Sequence, residues 1–142
     1  MPDYTEKFEK MRVAGKLAAE TLDMLTDNIK PGVTTEFIDK LGYEFIRDNG
    51  AYSAPLFYRG FKKSLCTSLN HVVCHGIPSD RVLNEGDALN IDVTTIIDEH
   101  YGDTSRMFCI GKTPIKVNNL IDTTYESMMR AIKLLKPGLR LG

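Results

Sequence analysis

The chain has 142 residues, with 42% in the hydrophobic set and 26% charged, the size and composition of one ordinary globular domain. Lys plus Arg is 18 against 19 for Asp plus Glu, a net charge of −1, so the balance selects neither nucleic acid nor an anionic membrane as the main partner. Cys66, Cys74 and Cys109 are odd in number and lack a CxxC spacing, which speaks against a disulfide framework or a zinc knuckle. No apolar run suits a signal peptide or a membrane span, and the expectation is a reduced, cytoplasmic protein.

The first predicted element is a helix. Met11, Ala14, Ala18, Leu22, Leu25 and Ile29 recur at three and four residues and make one apolar stripe. Pro31-Gly32 stops it. Thr34 or Thr35 caps a second helix, with Glu36 in its first turn. Phe37, Leu41 and Phe45 face one side, and Gly50 ends it as a left-handed cap. Ala51 to Gly60 reads as loop or short irregular strand. Strands are expected around Cys66–Leu69 and Val72–Cys74. "NEGD", 84–87, is a tight turn feeding the next strand. "ALNIDVTTIIDEHYGDTSRMFCIG", Ala88 to Gly111, reads as two strands. A third helix is predicted from about Val117 to Leu135, with Leu120, Thr124, Met128, Ala131 and Leu135 on one stripe.

Residues 19–36 also line up with 125–142, Lys30-Pro31-Gly32 matching Lys136-Pro137-Gly138. Chance explains this as a common helix stop. A true internal repeat makes the chain half of a two-lobed domain.

Two aspartates stand out in the predicted hairpin, because strand interiors disfavour Asp and a buried carboxylate needs a partner. Asp92 shares a face with Asn90 and Thr94; Asp103 shares one with Tyr101, Ser105 and Met107. A hairpin symmetric about the Ile97–Asp98 bond puts Asp92 opposite Asp103, with Cβ atoms about 4.5–5.5 Å apart. Three readings remain: another register with both solvated, a proton-sharing dyad, or a bridging divalent metal. Neither aspartate has the Asp-Thr-Gly loop of a dyad. Thr94 and Ser105 could support a metal site.

His75 sits in "VVCHGIP", where Gly76 permits close backbone approach and Pro78 stiffens the exit. His71 is four residues earlier, but this segment is a poor helix, so no helical metal pair is read. His100 is expected to cap the hairpin turn, exposed. Cys66 and Cys74 read as small buried hydrophobes, and Cys74 and His75, adjacent on a strand, point apart. No phosphate-binding loop is present.

Across these residues the sequence resembles the type I, bacterial form of methionine aminopeptidase. "SLNHVVCHGIPSDRVLNEGDALNIDVTTIIDEHYGDTSRMF" carries the resemblance densely, and the flanking helices extend it over nearly the whole chain. It implies an α/β (α+β) pita-bread fold of the creatinase/aminopeptidase type. Residues 1–142 would be the N-terminal lobe of a pseudo-two-fold domain, an antiparallel sheet under covering helices. The second lobe would begin near 117 and be cut off. The implied function is removal of the initiator methionine from nascent chains by a dinuclear-metal hydrolase.

The same resemblance implies roles residue by residue. Asp92 is a ligand of one metal and Asp103 bridges both. His75 binds the scissile peptide and steadies the tetrahedral intermediate. Tyr58, Phe61 and Cys66 line the methionine pocket, and Asn70 and Val72 contribute to a monovalent-cation site. The cofactors implied are two divalent ions, Co, Mn, Fe or Zn, and one monovalent cation. The partners are nascent peptides with N-terminal Met and a transient ribosome contact, with no specific nucleic acid or membrane; the full-length protein is expected to be a monomer.

The family's other ligands, a His and two Glu, lie in its second half, so the 142-residue chain alone is expected to be inactive and to expose an apolar face. Two local departures are His71, where Glu is common, and "HYGD" for aromatic-His-Gly-Asp. The alternative from another class is a non-catalytic pita-bread binding module. Joint retention of Asp92, Asp103 and His75 argues against it.

Overall fold

The computed structural model describes residues 4–140. Helix α1 spans Thr5–Thr26 and α2 spans Thr35–Asp48. Four strands follow: β1 (Tyr52–Ser53), β2 (Cys66–Leu69), β3 (Ala88–Ile97) and β4 (His100–Cys109). Helix α3 runs Ile115–Leu134.

β3 is the central strand, and every pairing is antiparallel. β4 runs along its whole length from Ala88 to Ile97. The opposite edge is shared end to end, β2 pairing with Leu89–Asp92 and β1 with Thr95–Ile96. Period-two alternation then sorts the side chains. Leu89, Ile91, Val93 and Thr95 face the helices and are fully buried. Asn90, Asp92 and Thr94 face away.

Helix α1 lies on the buried face through Ala14, Leu17, Ala18, Thr21, Leu22 and Leu25. Its approach is unusually close at Gly102, where any Cβ would collide with the Ala14–Gly15 backbone. Beside it, the Thr95 hydroxyl donates to the Ala14 carbonyl at 2.8 Å. Farther along, Arg106 pairs with Asp23 at 2.8 Å. The predicted stripe holds from Ala14 to Leu25. Met11 departs from it, 49% exposed, and Ile29 lies past the helix end, partly buried against the core.

In α2 the Thr34 hydroxyl accepts from the Phe37 amide at 3.2 Å, the expected cap. Gly50 follows with φ 74°. The buried face differs from the predicted one: Thr35, Ile38, Asp39, Gly42 and Ile46 point inward, while Phe37 is 43% exposed. Leu41 and Phe45 flank the core. The small Gly42 lets Leu65 sit against the helix, so the packing face rotates toward it. Asp39, on that face, accepts from the amides of Ser64 and Leu65, both at 2.8 Å, and ties α2 to the start of β2.

Further expectations are corrected. Val72–Cys74 forms no strand, and Cys74 is exposed rather than buried: after Leu69 the chain turns at Asn70 (φ 54°) and folds back along β2. His100 is the first residue of β4 and half-buried rather than exposed, while its Nδ1, 2.6 Å from the Asp98 carbonyl, makes the expected contact with the turn. The hairpin register is offset by two, so Asp92 pairs with Ser105 and Asp103 with Thr94. The reversal uses Asp98 and Glu99 at φ 47° and 65°, a two-residue turn that the sequence does not advertise with Asn-Gly. Helix α3 begins at Ile115, two residues before the predicted start, and none of its residues is buried. Leu120, Met128 and Ile132 are among its exposed apolar side chains.

Candidate active site

The sheet face turned away from the helices opens on a cleft of about 960 Å³. Four separate segments line it: the 54–62 loop, the start of β2, the loop at 75–77 and the β3–β4 hairpin. Six residues singled out by sequence meet there: Tyr58, Phe61, Cys66, His75, Asp92 and Asp103.

The aspartates form its acidic floor. They are diagonal neighbours rather than direct partners, because a two-residue offset preserves the face. Burial raises the Asp92 carboxyl above its ordinary range. The Asp103 charge and a hydrogen bond from Asp92 to Asp103 push it further, and only His75 opposes them. Crowding of the two carboxyls therefore favours the neutral form of Asp92. Hard oxygen donors side by side suit a divalent cation. Among the described residues, however, no group of three or more His, Cys, Asp or Glu is placed to hold a metal. The pair fits a metal as part of a donor set.

Cys66 is the cross-strand partner of Asp92. Burial, helped by the Asp92 charge, pushes its thiol up to about 11. It is a neutral, soft surface rather than a nucleophile. His75 takes φ 54°, a left-handed conformation rare outside glycine. Gly76 holds it there, since a Cβ at that position would strike the Thr67 carbonyl. The Gly76 carbonyl accepts from the Thr67 amide at 2.8 Å and its own amide donates to the Ser68 hydroxyl at 3.1 Å. Strain fixed in this way is characteristic of functional positions.

Two predicted residues lie elsewhere. Asn70 points its amide into the Asp87 turn, donating to Asp87 Oδ1 at 2.9 Å and accepting from the Ala88 amide at 3.0 Å. Val72 is on the same exposed loop, outside the cleft, its amide on the Leu69 carbonyl at 3.0 Å. Sequence reasoning missed Tyr101 and Ile77 as lining residues, each two positions from a chosen one, Asp103 and His75. It also missed Arg59 and Lys62. Alternation gave a signal for Tyr101; nothing local gave one for the others. No helix among the described residues is long and apolar enough to cross a membrane.

Residues 9–142 match the model of metallopeptidase family M24. Methionine aminopeptidase of Rickettsia prowazekii is 57% identical over 140 residues, covering 98% of this chain and 54% of that protein. The Escherichia coli K12 methionine aminopeptidase is 49% identical over 138 residues, covering 96% and 52%. The crystal structure of the Rickettsia prowazekii enzyme superposes with a TM-score of 0.95 at 56% identity, over 100% of this chain and 58% of that one. A Xaa-Pro dipeptidase from Bacillus anthracis, 19% identical, has a TM-score of 0.83 over 95% and 37% and shares the fold. The chain thus spans about half the length of the curated relatives it matches. With the family model covering nearly all of it and the fold shared at both high and low identity, the chain belongs to metallopeptidase family M24 and carries the pita-bread architecture expected from its sequence.

Proposed function

We propose that this chain supplies the acidic floor and methionine pocket of a metal-dependent methionyl aminopeptidase, which hydrolyses the bond after an N-terminal Met on nascent proteins. The observation that carries this reading is the convergence of Tyr58, Phe61, Cys66, His75, Asp92 and Asp103 in one cleft. Identity with methionine aminopeptidases at 49–57% supports it.

In this reading Asp92 and Asp103 would hold two divalent ions together with further donors not found among the described residues. When bound, the metal polarises the scissile carbonyl and lowers the pKa of the attacking water. Co, Mn, Fe and Zn all suit such donors. The chain's own residues do the positioning. Tyr58, Phe61 and the neutral Cys66 thiol present an apolar, polarisable surface to the thioether of methionine. His75, fixed by its backbone, donates to the scissile carbonyl as negative charge develops there. Residues 1–142 act as the first lobe, with the second beginning near 117 at α3. Asn70 and Val72 are assigned to the monovalent cation through their backbone carbonyls, because the Asn70 side chain is already committed. A cytoplasmic setting is supported by three free cysteines, two of them exposed. A ribosome contact and a monomeric state complete the reading.

A non-catalytic binding module is disfavoured because His75 keeps a strained conformation in the same cleft as both carboxylates. The test is methionine release from Met-Ala-Ser by the natural full-length protein. Met-Ala-Ser is expected to turn over and Leu-Ala-Ser to be a poor substrate. His75→Ala should lower kcat by about 10²–10³-fold. Equal turnover by His75→Ala would reject its role.

A further inference from the structure

The 54–62 loop brings two cations into the cleft lining, Arg59 and Lys62. Among the described residues, neither has an acidic group within ion-pair distance, whereas neighbouring Lys63 is paired with Glu36. The loop holds Arg59 against conformational preference. Arg59 takes φ 48° and Phe57 φ 68°, conformations that non-glycine residues rarely adopt. Backbone bonds enforce them: the Phe57 amide donates to the Phe61 carbonyl at 2.7 Å, and the Phe61 amide to the Tyr58 carbonyl at 3.0 Å. The Arg59 guanidinium lies 5.4 Å from the centre of the Tyr58 ring. A strained arginine braced on a cleft aromatic points to use in binding.

The charge layout narrows that use. The floor is anionic and the loop side is cationic. Arg59 and Lys62 directly follow Tyr58 and Phe61 in sequence, so they stand within a residue's length of the surface assigned to the first side chain. A peptide whose first side chain occupied that surface would pass close to them.

We propose that Arg59 and Lys62 are specificity-determining residues that favour substrates with Asp or Glu among the positions just after the cleaved bond. This rests on the reading of the cleft as an N-terminal methionine site. The partner chemistry is an acidic peptide segment, held by exposed charge pairs and therefore sensitive to salt.

The test uses the natural full-length protein and three amidated peptides, Met-Ala-Glu-Asp-Leu, Met-Ala-Gln-Asn-Leu and Met-Ala-Lys-Lys-Leu. Methionine release gives kcat/KM with metal loaded. Fluorescence anisotropy of C-terminally labelled peptides gives binding without turnover. The acidic peptide should be preferred to the neutral one by about two- to five-fold, and the basic one disfavoured. Arg59→Asn, which tolerates the left-handed backbone, and Lys62→Gln should each shrink the ratio, the pair bringing it to about one. Equal kcat/KM and binding for acidic and neutral peptides, or a preference that survives in the double variant, would overturn the inference. Charge-graded binding without methionine release from any peptide would sink the aminopeptidase reading and leave the cation assignment standing. Turnover blind to charge would do the reverse. Charge-blind binding without turnover would overturn both.

Discussion

Asp39 and Cys66 show at single-residue scale how burial sets chemistry here. Asp39 lies on the buried face of α2 and accepts two backbone amides through one oxygen. Burial raises its carboxyl despite those amides. Because the folded state resists its ionisation, the stability this group contributes is full below its unfolded value of 3.8 and is lost as pH climbs through the higher folded value. Asp39→Asn keeps an acceptor oxygen and removes the charge, so its stability relative to wild type should improve from pH 4 to pH 7, read from denaturant midpoints. Asp39→Ala should cost about 1–3 kcal/mol by stranding buried amides. Cys66 yields a second expectation. With its thiol pushed up to about 11 and its side chain buried, it should escape iodoacetamide at pH 8 while the exposed Cys74 and Cys109 are alkylated. Mass spectrometry of the native protein decides this, and fast labelling of Cys66 would contradict the packing. His75 was legible as a special position from its Gly-Ile-Pro context. Its left-handed backbone was not, because that depends on the Thr67 carbonyl approaching Gly76.

Among the elements, α1 and the β3–β4 hairpin set the frame. Helix α1 crosses β4 where Gly102 leaves no room for a Cβ. Gly102→Ala should therefore destabilise the fold by about 1–3 kcal/mol through overpacking. Gly15→Ala is the matched control. It sits within α1, where an added methyl group would meet no neighbouring atom within 4 Å, and should stabilise by up to about 1 kcal/mol. Similar denaturant midpoints for both variants would refute the close crossing. Alternation correctly assigned Asp92 and Asp103 to one face. Their register escaped sequence reasoning because Asp98-Glu99 form the turn without the usual glycine. In α2 the Phe37–Leu41–Phe45 spacing was a genuine helical stripe. The helix nevertheless packs one residue over, where Gly42 admits Leu65.

At the scale of the molecule, the motif run from Ser68 to Phe108 made the family and fold legible, because its residue types recur in a fixed order. The cleft itself was not legible from spacing. It joins a loop at 54–62, a strand start, a strained histidine and a hairpin, and only tertiary packing brings them together. Helix α3 buries none of its residues, and among the described residues no group of three or more His, Cys, Asp or Glu completes the two-carboxylate floor. Everything turns on whether that floor holds catalytic metal. The most direct measurement strips the natural full-length protein with a chelator, titrates Mn(II) back, and follows methionine release from Met-Ala-Ser for wild type and Asp103→Asn. Release should vanish on stripping and return with metal in the wild type, with the variant losing at least the roughly 10–100-fold that removing a ligand's supporting partner costs. Chelator-insensitive release, or equal recovery in Asp103→Asn, would contradict a catalytic metal on this floor.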